Sequence, residues 1–460
     1  MATNKVLLEH GEFTPERIAF YRDIAFVEAV NSRQELHYLF FYKEQFLTNK
    51  KALKLKRSSF IEQAFKEGIV FLCPHPLADE LLEQNTRSKV ISFNELHKKL
   101  QAGMSPQEIS YIFSALDSFI APEKLFRLIR SHYYQYRRDG QFLHAYKILK
   151  ILADMAPDNA WVRQTSADLN FRPYEKIYMQ HPLKLLEKDP LYAVSEFWKN
   201  RHEQESSEAL QQLVLKRNQK LTVTALMIES LQRNPGNETL QPLTLWLRTQ
   251  FKQDVYRELL YTLAIALPAN HELVQQLLQE LLDAGEHEKA LELLCNAPDS
   301  ASRIHTDILT DLFERIQWQQ ASIPIEKLNN ILIPALQEEP AKLDKILKSC
   351  VQSLLKGHDV SFVADWMSPL QSKNLSLPIA EKIKRMNTLL DDPDHQSQLG
   401  EFYYQFNVID RAIDCFSWDM ELRPNDPAPV KWLSRLYKEK GMANEAKAYQ
   451  QVLMEMQKRA

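Results

Sequence analysis

Glycine is scarce in this chain, with 9 in 460 residues, about 2% where an average protein carries near 7%. A phosphate-cradling loop needs clustered glycines so that backbone N–H groups can approach the anion, and neither G-x-G-x-x-G nor G-x4-G-K-[ST] occurs. Cysteine is sparser still. Cys73, Cys295, Cys350 and Cys415 lie far apart with no paired spacing, which argues against a disulfide framework or a zinc site. The H-E-x-x-H pair of a zinc peptidase and the G-x-S-x-G nucleophile elbow are both missing. No run of 18 apolar residues is present, so no transmembrane helix is expected. Met1–Glu12 is short on apolar residues and carries acids, unlike a secretory signal, so the expected compartment is the cytoplasm. Strong charge of one sign is lacking too. Residues 1–180 carry 25 Lys+Arg against 21 Asp+Glu and the remainder 32 against 39, an asymmetry too mild to make a nucleic-acid domain.

The few glycines are not scattered at random. Four segments share a large residue, a turn residue four later, Ala five after that, and a further position four on. They read Tyr136, Gly140, Ala145, Leu149; Leu281, Gly285, Ala290, Leu294; Tyr403, Asn407, Ala412, Phe416; and Tyr437, Gly441, Ala446, Gln450. The last two copies are 34 residues apart at every position, a helical-hairpin period. The turn position asks for φ > 0, which Gly reaches freely and Asn tolerates. The Ala falls on the second helix, where a small side chain lets the first helix approach. Pro157 and Pro424, twelve residues after their Ala, cannot continue a helix and open the next hairpin. Pro235 and Pro268 mark two further junctions, and Leu243, Thr244, Leu247, Tyr256 and Leu260 between them fit the same frame with a substituted turn.

These residues resemble the tetratricopeptide repeat, W-x2-L-G-x2-Y … A-x3-F … P. The fullest match is Leu399, Gly400, Tyr403, Ala412, Phe416 and Pro424, and the next copy keeps Leu433, Tyr437, Gly441 and Ala446 with Ser434 in place of Gly. The resemblance covers roughly 125–160, 204–300 and 393–460, somewhat under half of the chain. It implies an all-α protein, a right-handed α-solenoid of about ten hairpins at 34 residues each. In the resembled family the first helix of each hairpin lines a concave groove. Carried over, the groove positions are Arg130, Tyr134 and Arg137 in one repeat and Lys431, Arg435 and Lys438 in the last. A basic groove suits an acidic peptide or a carboxylate. The Asn positions of the family's carboxylate clamp are not found.

The rest of the chain is read from periodicity. Glu16–Val30 and Arg33–Thr48 carry helical spacing, with Ile18, Tyr21, Ile24 and Phe26 on a broad apolar face. Ile69–Cys73 and Val90–Phe93 read as strands around a helix over Pro76–Glu83, a short βαβ fragment with a parallel crossover. Ser105-Pro106-Gln107-Glu108 reads as a helix start. Prolines at 173, 182, 190, 324, 334, 340, 369 and 378 divide two degenerate helical stretches, and Ser372–Ser376 and Asp391–Asp394 read as linkers. The expected organisation is 1–125 as a helical cap or small domain, 126–300 and 393–460 as repeats, and 301–392 as divergent helical repeats.

Two clusters remain. Lys43, Lys50, Lys51, Lys54, Lys56 and Arg57 form a basic run that reads as a solvated face rather than a nucleic-acid or lipid contact. Cys73-Pro74-His75 is the one Cys near a His and reads as a buried strand-end thiol. The expectation is a non-enzymatic scaffold for a protein or peptide partner, with no cofactor or metal. Nucleic acid is disfavoured and the oligomeric state is left open. Two other readings are a cytoplasmic peptide sensor and an enzyme whose chemistry lies in residues 1–125.

Overall fold

The computed structural model describes residues 6–8, 11–52, 55–85, 91–301, 303–316, 327–328, 331–332, 340–369 and 377–459. Val90, Lys54, Pro324, Pro334 and the linker Ser372–Ser376 lie outside them. The chain divides into two compact units, Met1–Leu263 and Ala264–Ala460.

The first unit opens with strands β1 (Val6–Leu8), β2 (Gly11–Tyr21), β3 (Ile24–Asn31), β4 (Leu36–Tyr42) and β5 (Gln45–Lys51). After helix α1 (Phe60–Glu67) comes β6 (Ile69–Leu72). The strands form one sheet in the order β1-β2-β3-β4-β5, with β6 pairing β2 antiparallel through Ile18↔Phe71 and Ala19↔Val70. Helices α2 (Pro76–Glu83), α3 (Phe93–Gln101), α4 (Pro106–Ser114), α5 (Pro122–Arg138), α6 (Phe142–Met155) and α7 (Ala160–Ser166) follow. Then come α8 (Arg172–Tyr178), α9 (Pro182–Leu185), α10 (Pro190–Lys199), α11 (Gln204–Lys216), α12 (Lys220–Arg233), α13 (Asn237–Gln250) and α14 (Gln253–Ala266).

The sheet corrects the all-α expectation. Glu16–Val30 and Arg33–Thr48 are strands, not helices, and no parallel βαβ is present among the described residues: β6 is antiparallel to its neighbour and Phe93 begins α3. The physical reason is double-sided burial. Strand β3 is buried at its first six positions and β4 at its last five, so the apolar/polar alternation that betrays a half-exposed strand is absent. Phe26 and Phe40, paired across β3 and β4, sit 5.2 Å apart with Phe60 and Phe119 against them. A polar rung fixes the register of three strands. Arg17 and Glu28 are opposite each other on β2 and β3, and Tyr38 faces Glu28 from β4. Arg17 donates two hydrogen bonds to Glu28 at 2.7 and 2.8 Å, and the Tyr38 hydroxyl donates a third at 2.6 Å.

Two hairpin tips of the sheet engage α11 and α12. Asp23, 2% exposed, accepts from Arg217 at 2.7 Å and from the Gln219 amide at 3.0 Å. Glu44, 5% exposed, accepts from the backbone N–H of Thr222 at 2.8 Å and its hydroxyl at 3.1 Å. A carboxylate there meets the unsatisfied N–H groups and the positive end of α12.

In the second unit, α15 (His271–Asp283), α16 (His287–Asn296), α17 (Pro298–Ala301) and α18 (Thr306–Arg315) precede α19 (Pro340–Gly357), α20 (Val360–Trp366) and α21 (Pro378–Thr388). The unit closes with α22 (Gln396–Gln405), α23 (Ile409–Leu422), α24 (Pro427–Glu439) and α25 (Ala443–Arg459).

The repeated turn has the geometry its residues imply. Gly140, Gly285, Gly441 and Asn407 have φ of 70°, 73°, 83° and 56°. In each copy the following N–H bonds to the carbonyl of the large residue five positions back: Gln141 to Tyr136, Glu286 to Leu281, Val408 to Tyr403 and Met442 to Tyr437, at 2.8–3.0 Å. This is a Schellman closure of the first helix. Ala145, Ala290, Ala412 and Ala446 are all buried. A fifth copy joins α11 to α12. Asn218 has φ 58° and Gln219 N–H reaches the Val214 carbonyl at 3.3 Å, with Val223 in the place of Ala. At Gly400 a Cβ would stand 2.9 Å from the Phe416 ring, so the close approach of α22 and α23 needs that glycine. The helix over Pro76–Glu83 and the capped start at Ser105 are found as expected, the latter with a full capping box.

Two expectations follow. Asn407→Gly leaves the thermal transition followed by circular dichroism in place or raises it, whereas Gly285→Val lowers stability by about 1–2 kcal/mol, since a β-branched residue resists φ > 0. Burial pushes the Glu44 carboxyl up to about 7 from an ordinary 4.5. The native state then keeps a proton that the unfolded chain has released, so stability falls as pH rises from about 4.5 to about 7, by on the order of 3 kcal/mol for this group. Glu44→Gln should remove that slope in urea titrations across this range.

Candidate functional site

The candidate residues sit on two surfaces, one in each unit. In the first unit, Arg130 and Tyr134 are one turn apart on α5, the first helix of its hairpin. Their guanidinium and ring meet Trp161 on α7, the first helix of the next. Arg130 lies 5.6 Å from the centre of the Phe126 ring and 5.7 Å from that of Trp161. Tyr134 is 42% exposed and its hydroxyl accepts from the Trp161 indole N–H at 3.1 Å. Arg137 belongs to the same face but is occupied: it donates to the Tyr133 hydroxyl at 2.6 Å and to Asp168 at 3.1 Å. Among the described residues Arg130 has no carboxylate partner, so it is the available cation of the three.

The second unit repeats the combination. Tyr404 on α22 faces Trp432 on α24 with ring centres 5.1 Å apart, and Trp432 stacks on Phe416 at 5.1 Å. Arg435 lies over Tyr404 at 4.9 Å, donates to its hydroxyl at 2.6 Å, and pairs with Glu439 at 3.0 Å. Lys431 and Lys438 are exposed on the same helix and have no ion pair among the described residues. The Tyr-to-Trp spacing is 27 residues in the first unit and 28 in the second. Sequence reasoning passed over both tryptophans. The usable signal for Trp161 was its place just after the cap at Asn159, whose side chain accepts from Trp161 N–H.

The basic run is dispersed by the sheet. Lys43 pairs with Glu108 at 2.9 Å and Lys51 with Glu35 at 2.6 Å, while Lys50 lies 4.4 Å over the Phe93 ring. Cys73 and His75 are not poised for nucleophilic chemistry. Burial raises the Cys73 thiol to about 12 and lowers the His75 imidazole to about 4. The His75 ring caps α2 by accepting from Leu77 N–H and stacks on Phe71 at 4.2 Å. A second Ser/His contact, Ser110 with His132 at 2.8 Å, is sealed inside the unit, and the Ser110 hydroxyl also lies 2.7 Å from the Pro106 carbonyl. No group of three or more potential metal ligands occurs among the described residues, and no helix there is long and apolar enough to cross a membrane.

No family model matches the chain. Over 114 residues it is 29% identical to the peroxisomal targeting signal receptor of Eremothecium gossypii, a match covering 21% of this chain and 20% of that protein. The chain therefore spans about a fifth of the length of this curated relative. Among solved structures, a circular tandem repeat protein with novel repeat topology and enhanced subunit contact surfaces aligns over 83% of this chain and 91% of that one. Identity is 14% and the TM-score 0.17, too low to show a shared fold.

All four cysteines are unbridged, and burial raises Cys73, Cys295 and Cys415 to about 12. A rise from 9 to about 12 cuts the thiolate fraction roughly a thousandfold. Iodoacetamide at pH 8 should therefore label the native protein very slowly and all four thiols rapidly once guanidinium is added.

Proposed function

We propose that this chain is a tetratricopeptide-type interaction scaffold that binds acidic peptide segments on the first helices of its hairpins. The observation that carries the reading is Arg130. It is a guanidinium held in place by Phe126 and Trp161 and left without a carboxylate among the described residues. An arginine with its plane fixed by aromatic neighbours offers a fork to a carboxylate at low entropic cost. Tyr134 and Trp161 supply the rigid apolar contact area on which short peptides depend. Lys431 and Lys438 would play the charged role on α24, with Trp432 and Tyr404 as the aromatic floor.

The partial similarity to a receptor for a targeting signal favours peptide recognition over catalysis. The enzyme reading is weakened, since among the described residues of 69–93 β6 runs antiparallel to β2 and Phe93 begins a helix. The proposed organisation remains repeats over 126–300 and 393–460, divergent hairpins over 301–392, and residues 1–125 as a cap. The location proposed is the cytoplasm.

Fluorescence anisotropy with labelled ten-residue peptides tests the proposal directly. Acidic sequences with free C-termini should bind the full chain more tightly than amidated or basic scrambles. Arg130→Glu should weaken them at least tenfold, about 1.4 kcal/mol. Arg137→Glu should act mainly on stability, since Asp168 already holds that side chain. Equal binding of acidic and basic peptides, or an unchanged affinity in Arg130→Glu, would falsify the assignment.

A further inference from the structure

Within the first unit a cavity of about 300 Å³ lies between the sheet and the helical hairpins, walled by α1, α4, α6, α10 and the β2–β3 turn. That volume is at the lower end of small-ligand sites. Four hydrogen-bond donors line it, each from a different element. Arg22 comes from the tip of the β2–β3 hairpin, with its guanidinium 4.8 Å from the Tyr21 ring centre and 5.8 Å from that of Phe60. Its Nε–H is buried and has no acceptor among the described residues. Tyr111 on α4 and Ser195 on α10 likewise have buried hydroxyls without a hydrogen-bond partner among the described residues. Lys147 on α6 is 7% exposed and forms no ion pair or hydrogen bond among the described residues. The buried cations elsewhere in the unit are arranged differently: Arg217 holds Asp23 at 2.7 Å and Arg201 holds Glu229 at 2.9 Å.

Among the described residues the carboxylates of the wall make no direct ion pair with these donors. Asp189 is taken by Gln107 at 2.7 Å, Tyr178 at 2.5 Å and Tyr192 N–H at 3.2 Å. Asp117 accepts from Phe60 N–H at 3.2 Å and Glu67 from the Tyr21 hydroxyl at 3.2 Å. Asp154 is exposed. A buried cation with no ion pair, as at Lys147, is costly to keep, and together with the open Arg22 Nε–H and two unmet hydroxyls in one cavity it describes a receptor lacking its anion.

We propose that this cavity binds a phosphomonoester, its phosphoryl group between Arg22 and Lys147, with Tyr111 and Ser195 donating to the remaining oxygens. Donors from four elements suit a tetrahedral group with three free oxygens and nearly two negative charges better than a planar carboxylate. The space left over is bounded by Phe60, Ile151 and Tyr192, which would take the organic part of the ester.

The experiment is a thermal-shift and calorimetric titration of the full chain with inorganic phosphate and with glycerol 3-phosphate, against acetate and chloride at matched ionic strength. Both phosphates should raise Tm and bind saturably. Tighter binding of glycerol 3-phosphate supports the ester. Tighter binding of inorganic phosphate, or saturable binding of acetate alone, overturns it. Lys147→Met should raise Tm in phosphate-free buffer, by removing an uncompensated buried charge, and weaken phosphate binding at least tenfold. Arg22→Met should weaken it as much, while Lys176→Met, exposed and outside the cavity, should leave it unchanged. No saturable binding to the native chain, or full binding retained by both Lys147→Met and Arg22→Met, overturns the proposal. Peptide binding at Arg130 is independent of either outcome.

Discussion

Asp23 and Glu44 carry their carboxyl groups at the tips of two β-hairpins, almost wholly withdrawn from water, and among the described residues each is satisfied by groups on the α11–α12 hairpin. Removing Arg217 or the Thr222 N–H would leave a buried charge or acceptor unanswered, the arrangement most costly to a folded chain. These contacts orient the sheet against the helices of its unit. They also place the neighbouring Arg22 beside α4, α6 and α10, so the cavity is a by-product of the same docking. Arg201 reinforces the join by holding Glu229 and the carbonyl of Glu67, and Lys220 reaches Glu80 at 3.4 Å.

The tips themselves are unusual in composition. Lys43 and Glu44 have φ of 48° and 63°, and Arg22 has 57°. Hairpin turns of that geometry ordinarily recruit Asn or Gly. Here glycine would relieve the backbone but forfeit the carboxylate on α12, the Lys43–Glu108 pair and the guanidinium in the cavity. The backbone strain, of order 1 kcal/mol per residue, is set against side chains that only these positions can deliver.

This is also why the helical hairpins were legible in the sequence and the sheet was not. At Gly140, Gly285, Asn407 and Gly441 the backbone demand is met by residue type, so the conformation is written in the letters. Asn218 serves the same turn, yet Val223 replaces the expected Ala and hides the copy. In the sheet, turns built from Arg-Asp and Lys-Glu carry no turn signal. Strands covered on both faces lose their period of two, and Ile18, Tyr21 and Ile24 then fall by coincidence on a helical spacing. Helix starts at Pro76 and Ser105 were readable because caps are local. The candidate surface was half readable. The i, i+4 relation puts Arg130 and Tyr134 together, but the neutralisation of Arg137 comes from Asp168, 31 residues away, and no local rule reaches it.

The turn between β3 and β4 differs from those between β2 and β3 and between β4 and β5. Between β3 and β4, Ser32, Arg33 and Gln34 are exposed, and the Asn31 side chain closes the loop by accepting from the N–H groups of Arg33 and Glu35 at 2.9 Å. Nothing in that loop is plugged into a helix. Among the described hairpin tips, those of β2–β3 and β4–β5 are committed to the interior and that of β3–β4 faces solvent. New sequence, a fluorophore or even new chain termini could be introduced at the outward tip while the inward pair continued to seat the sheet on its helices.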